Sequence, residues 1–139
     1  MSTEDNKALA RRAFEETMNQ RNWAVFDELH VPDYVCHYAS RTIQGREPFK
    51  HFLSMLITAF PDVHVTIEDM IGEGDRVVIR YTYRGTHKGD LMGIPPTGKQ
   101  VAVTGIEIMR VANGKILEEW INSDLMQQLG VVPAPGQAS

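Results

Sequence analysis

Cysteine is almost missing: Cys36 is the only one in 139 residues, so no intrachain disulfide can form, and a reducing, cytoplasmic setting is expected. No apolar run comes near the roughly 20 residues that span a bilayer. The start, MSTEDNK, lacks the basic-then-apolar order of a signal peptide. Positive charge is also short. Against 18 Asp and Glu stand 14 Lys and Arg, leaving a net charge of -4 and a pI near 5.7. That argues against a nucleic-acid or anionic-membrane surface, because phosphates need a basic excess. The five histidines show no metal-ligand spacing, with no H-E-x-x-H and no carboxylates clustered about a pair. No repeat or low-complexity tract divides the chain. What remains is globular material, 42% hydrophobic and 23% charged, enough for one domain with one core.

Helical spacing dominates the first half. Ser2 or Thr3 can cap a helix whose apolar stripe is Leu9, Ala13, Phe14 and Met18. A short helix after Asn22 turns Trp23, Phe26 and Leu29 inward, Pro32 ends that pattern, and Tyr34–Tyr38 reads as a short strand. A third helix follows Gly45, with Phe49, Phe52, Leu53, Leu56 and Phe60 on one face, and stops at Pro61. Strands then take over: Val63–Ile67, Arg76–Arg84, Gln100–Val111 and Lys115–Asn122, with turns at GEGD and Asn113-Gly114. Helices first and a meander afterwards predict an α+β fold, helices against one face of a curved sheet.

The stretch EEWINSDLMQQLG (Glu118–Gly130) carries the sharpest question. A two-residue turn at Asn113-Gly114 would pair Glu107 with Trp120; a type I turn with a glycine bulge would pair Ile106 with Trp120. Either register keeps Glu118, Trp120, Asn122 and Asp124 on one face, with Leu117 and Ile121 on the other. Asp124 then has two readings. Ser123 or Asp124 can cap a final helical turn. Alternatively, a carboxyl beside Trp120 in an apolar cleft has its charged form disfavoured and suits proton transfer near neutral pH.

Other motifs say less. GIPPTGK (Gly93–Lys99) has the spacing of a phosphate-binding loop, but Gln100 stands where Ser or Thr should follow, and Pro95 and Pro96 remove amide donors. GTHKGDLMGIPPTGK is better read as a long connection, either a plain surface loop or a flap over the open end of the sheet. His37, between Tyr34 and Tyr38, is a candidate for lining a cavity. His51 and His64 read as surface or structural residues, and Cys36 as a packed side chain rather than a nucleophile. Arg80, in mid-strand, points to solvent or an interface unless a carboxylate partners it inside.

The segment from Ala59 to Gly130 resembles the SnoaL-like family of polyketide and ester cyclases, within the nuclear transport factor 2-like superfamily. The resemblance rests on AFPD (Ala59–Asp62), GTHKG with GIPPTGK, and NGKILEEW with Asp124 and QLG, and the helical first half has the family's order of elements. It implies one domain over residues 1–130, with 131–139 as a loose tail. It implies a cone-shaped fold, a bent antiparallel or mixed sheet wrapped around three N-terminal helices and enclosing an apolar pocket. Homodimers or homotetramers formed through the sheet are implied, and no metal or organic cofactor. In the family's polyketide cyclases an aspartate on the last strand is the general acid/base of an intramolecular aldol closure; the matching residue is Asp124. Those enzymes also use a pocket histidine, but GIEIMRV, where one would be sought, carries Arg110 instead.

The sequence therefore predicts a small cofactor-independent enzyme binding an apolar, carbonyl-bearing ligand. Asp124 would move the proton, Trp120 would shape the pocket, and Asn122, His37 or Arg80 would orient an oxygen. Two alternatives stand beside it. One is a non-catalytic ligand-binding or dimerisation module on the same fold. The other is an epoxide hydrolase or isomerase, which would want Arg80 or Arg110 facing Asp124.

Overall fold

A computed structural model describes residues 2–130; the expected tail after Gly130 lies outside them. Ser2 is the cap of the first helix, α1 (Thr3–Phe14): its hydroxyl accepts from the Asp5 amide while the Asp5 carboxylate takes the Ser2 amide. The helix then widens into a π-helical turn, Glu15–Asn19. Asn19 ends that turn by bonding both ways to Val65, donating to its carbonyl at 2.9 Å and accepting from its amide at 2.7 Å. Helix α2 (Trp23–Leu29) is capped by the Asn22 side chain, which accepts from the Val25 amide. Helix α3 (Arg46–Ala59) follows Gly45 and ends before Pro61. Among the described residues no helix is long and apolar enough to cross a membrane.

The strands are β1 (His30–Tyr38), β2 (Arg41–Gln44), β3 (His64–Glu73), β4 (Arg76–Thr86), β5 (Gln100–Ala112) and β6 (Lys115–Ser123), followed by the short helix α4 (Leu125–Gln128). They form one sheet in the order β2-β1-β6-β5-β4-β3. From β3 to β6 it is the expected antiparallel meander, whereas β1 lies parallel to β6 and makes the sheet mixed. The strand expected at Tyr34–Tyr38 begins at His30, with a register shift before Val35, and the strand expected at Val63–Ile67 runs to Glu73. The short strand β2 carries no alternating pattern that marked it in the sequence.

The β5–β6 hairpin takes neither expected register. Asn113 and Gly114 have φ of 52° and 73°, so the two-residue turn is left-handed at both positions and pairs Ala112 with Lys115. A shift between Arg110 and Val111 then moves the ladder by one, and Trp120 faces Ile108. The grouping of Glu118, Trp120 and Asn122 survives the shift; Glu119 and Ile121 take the other face.

That second face is the core. Its buried set includes Phe26, Tyr34, Phe60, Ile79, Met109 and Ile121. Two of the pieces on which the family resemblance rests, AFPD and GTHKG with GIPPTGK, meet at one corner of it. The Ala59 carbonyl, at the end of α3, accepts from the Lys88 and Gly89 amides, and Asp62 accepts from the Thr86 amide at 2.7 Å and its hydroxyl at 2.8 Å. A Cβ on Gly89 would lie 2.6 Å from the Thr58 carbonyl oxygen, which explains the glycine. Buried His87 exchanges backbone bonds with Gly98 and Lys99, closing the long connection on itself. GIPPTGK thus leads into β5 rather than a helix, so no phosphate cradle forms.

A buried glutamate–histidine cavity as candidate active site

Between the helices and the inner face of the sheet lies a cavity of about 80 Å³. Phe14 and Met18 wall it from the first helical segment, Phe49, Phe52 and Leu56 from α3, and Met109 and Ile121 from the sheet. Into this apolar chamber come the polar side chains of Thr17, His30, Tyr38, Tyr83, Glu107 and Glu119. Two carboxyls in such a wall are expensive to bury, and each needs a partner or a task.

Glu119 has partners. Its Oε1 accepts from the Tyr34 hydroxyl at 2.9 Å and lies 3.5 Å from His30 Nε2. His30 sits at the end of α2, stacked on Phe26 with ring centroids 4.1 Å apart. Its Nδ1 lies 2.8 Å from the Phe26 carbonyl oxygen. A carbonyl can only accept, so Nδ1 carries a hydrogen. The other nitrogen, Nε2, therefore faces Glu119 with a bare lone pair unless a proton lies between them. At 3.5 Å the two are too far apart for a short hydrogen bond, yet close enough for a proton arriving on either to meet the other. Glu119 is 3% exposed and His30 5%, so both groups are shielded from bulk water.

Glu107 stands on the neighbouring strand opposite Ile121 and diagonal to Glu119. It is 4% exposed, and its Oε2 finds no hydrogen-bond partner among the described residues; neither do the Tyr83 hydroxyl and Thr17 Oγ1. Burial raises Tyr34, Tyr81 and Tyr83 well above the usual phenol range, with the charge of Glu119 adding to the rise at Tyr34. Burial likewise pushes the Cys36 thiol up to about 12, which agrees with its reading as an inert packed side chain. Tyr81 lies across its cross-strand partner Gly105: a Cβ there would fall 2.4 Å from the tyrosine ring and hydroxyl.

The candidates from the sequence lie elsewhere. The face of β6 assigned to the cavity wall is the outer one, because Glu119 and Ile121, not Trp120 and Asn122, line the cavity. His37 also points outward, stacking on Trp120 at 5.4 Å and bonding Glu118 at 2.6 Å, while Arg76 lies over the same indole. Glu118 is held below the usual carboxylate range, first by His37 and then by Arg110. Arg80 is exposed on the outer face beside Ile106 and Asn122, and Arg110 pairs with Glu118 at 3.2 Å, so neither arginine joins the cavity. The arginine that epoxide chemistry would want there is thus not supplied by either.

Asp124 occupies the N-cap position of α4; its carbonyl accepts from the Gln128 backbone amide, but its carboxylate caps none of that helix's backbone amides. Its Oδ1 accepts from the Thr104 amide at 2.8 Å, and Oδ2 from the Thr104 hydroxyl at 3.4 Å and the Gln128 amide group at 3.3 Å. It clamps α4 to β5. Its charge still reaches Tyr38 and Tyr83, both cavity residues. No residue of the long connection after β4 lines the cavity, so the flap reading gains no support. Among the described residues no cluster of His, Cys, Asp or Glu suits a metal ion.

The acids that do line the cavity were readable from alternation. Val101, Val103, Met109 and Val111 mark the inner face of β5, and Glu107 is in step with them. His30 lies one helical turn after Phe26, on the same face.

Residues 8–130 match the model of the SnoaL-like polyketide cyclase family. A candidate SnoaL-like polyketide cyclase from Jannaschia sp. CCS1 superposes with a TM-score of 0.86 at 27% identity, over 96% of this chain and 94% of its own. AclR, a candidate hydroxylase from Streptomyces galilaeus, gives 0.82 at 27% identity over 96% and 89%. IdmH, a candidate polyketide cyclase from Streptomyces antibioticus, gives 0.76 at 30% identity over 91% and 96%. No curated protein matches this chain. With the expected cone of helices and mixed sheet in place and the family model matched over nearly its whole length, the chain belongs to the SnoaL-like polyketide cyclase family.

Proposed function

We propose that the cavity carries out proton transfer at a carbon next to a carbonyl in an apolar ligand, with Glu119 and His30 as the acid/base pair. The observation behind this reading is the His30 tautomer: Nδ1 is committed to the Phe26 carbonyl, so Nε2 is left facing Glu119. The Glu119 carboxylate takes the C–H proton, and the bond's electron pair moves onto the carbonyl oxygen as an enolate. The enolate carbon then attacks a second carbonyl of the same ligand, as an aldol ring closure requires, or is protonated at a new carbon. The proton, carried on Glu119 with His30 Nε2 beside it, returns to the resulting alkoxide or carbon. The Tyr83 hydroxyl, without a partner among the described residues, is the donor available to an enolate oxygen, and Tyr38 joins it where Ser123 Oγ takes the donor role in their 2.8 Å bond. The apolar walls exclude water from the intermediate.

Asp124 is the competing candidate, through its electrostatic reach to Tyr38 and Tyr83. Deuterium uptake at the α-carbons of cyclohexanone in D₂O, followed by mass spectrometry, separates the two. Glu119→Gln keeps an acceptor for Tyr34 but has no transferable proton, so exchange should fall roughly 10²- to 10⁴-fold. Asp124→Asn should leave it within about threefold, since it only weakens a clamp. The reverse pattern would move the acid/base role to Asp124. No exchange with the wild-type protein over a panel of small cyclic ketones would favour the ligand-binding module.

A further inference from the structure

Three polar atoms in the cavity wall have no partner among the described residues: Glu107 Oε2, the Tyr83 hydroxyl and Thr17 Oγ1. Their residues are 4%, 6% and 2% exposed, so bulk water does not serve them. They come from three different elements, β5, β4 and the π-helical turn. The π turn is itself informative. Single π turns within helices are uncommon and recur at functional sites, and this one brings Thr17 to the cavity. Leaving several buried polar groups bare in one apolar chamber costs stability unless an occupant satisfies them.

The chamber also limits size. At about 80 Å³ it is smaller than the engineered apolar cavity of about 150 Å³ that takes benzene. A six-membered ring enters only as the half-exposed Phe14, Met18 and Phe52 give way. One ring is buried; any further ring stays outside the mouth.

We propose that Glu107 is the specificity-determining residue of this cavity, accepting a hydrogen bond from a hydroxyl on a single buried ring, with Tyr83 and Thr17 completing that polar contact. The ligand class is a hydroxylated monocyclic carbonyl compound. This deepens the proton-transfer reading and rests on the same cavity being the site. Glu107 contributes recognition, while Glu119 and His30 contribute the proton transfer.

Phenol and toluene, alike in shape and different in one hydroxyl, are the probes. Binding of each to the folded protein is measured by ligand-observed NMR titration, with circular dichroism checking that every variant is folded. The wild-type protein should bind phenol roughly 3- to 10-fold more tightly than toluene, the range for one net hydrogen bond. Glu107→Leu should abolish that preference, and Tyr83→Phe should reduce it while keeping the ring. Equal binding of phenol and toluene by the wild-type protein overturns the proposal. So does a phenol preference that survives Glu107→Leu, or failure of both probes to bind. Phenol preference in a protein without ketone exchange would sink the proton-transfer reading alone. Exchange without phenol preference would sink this proposal alone.

Discussion

Raising the pH tests the packing of the cavity wall directly. The chain has four tyrosines, and all four are pushed above the ordinary phenol value of 10, by burial first in each case. The Cys36 thiol, ordinarily near 9.0, is raised to about 12. These groups are neutral when protonated, and burial penalises the anion. Their stabilising contribution is therefore complete below the unfolded values and is lost as pH rises through them toward the folded values. Near pH 9 the loss is under about 1 kcal/mol, because the unfolded chain has scarcely begun to release these protons. At about pH 11 each tyrosine held well above 10 costs on the order of 1 kcal/mol relative to the unfolded chain, and Cys36 about 3 kcal/mol. Tyr34, Tyr81, Tyr83 and Cys36 together then remove several kcal/mol, comparable to the whole stability of an ordinary domain.

The fold should therefore hold to about pH 10 and unfold cooperatively about one pH unit above it. The assay follows tyrosinate absorbance and far-ultraviolet circular dichroism through the same alkaline titration. Tyrosinate should stay nearly absent while the ellipticity is native, and both signals should change in one step. A smooth tyrosinate rise centred near the ordinary phenol value, with native ellipticity throughout, would refute the reasoning. It would mean that the phenols are in contact with solvent and that the chamber is not closed.

Two further perturbations probe neighbouring parts of the wall. At about pH 8 a thiol displaced from 9.0 to about 12 has roughly a thousandfold less thiolate, so Cys36 should resist iodoacetamide in the native protein and react at once in urea; brisk native labelling would contradict its burial. Gly105→Ala places a methyl 2.4 Å from the Tyr81 ring and hydroxyl. Stability to urea should fall by about 1–3 kcal/mol, and toluene binding should weaken because the displaced ring moves into the cavity. Gly89→Ala, which meets the Thr58 carbonyl instead, should lose similar stability and leave binding unchanged.

How much of this was legible depends on which periodicity each residue obeys. The helix boundaries followed from Ser2, Asn22 and Pro61, and the meander from alternation in Arg76–Arg84 and Gln100–Val111, because those signals are local. The face of β6 was misassigned for a physical reason. Asp124, the residue matched to the family's acid, is in step with Trp120, and that placed their shared face on the pocket wall. Outside, however, the indole is covered by His37 from β1 and by Arg76 from β4, so its apolar surface is partly buried without entering the core. Those covers come from distant parts of the chain, and no reading of β6 alone contains them. Glu119 lost out for the mirror reason. A carboxylate reads as solvent-facing until Tyr34 and His30, supplied by another strand and a helix end, are seen to meet it.

The residues on which the family resemblance rests are mostly not the ones that face the cavity. Ala59–Asp62, GTHKG and GIPPTGK build a single joint, where the end of α3, the exit of β4 and the start of β5 interlock through Asp62, His87 and Gly89. Such a joint tolerates little change, since it depends on backbone bonds and on a missing Cβ. It secures the cone and therefore the chamber. His30 and Glu107 lie in segments that this signature passes over, whereas Glu119 falls inside NGKILEEW. The joint does not fix His30 or Glu107, so membership carries the architecture more firmly than the reaction. For this chain the reaction has to be read from the chamber itself. There, a histidine with one nitrogen committed to a carbonyl faces a buried carboxyl.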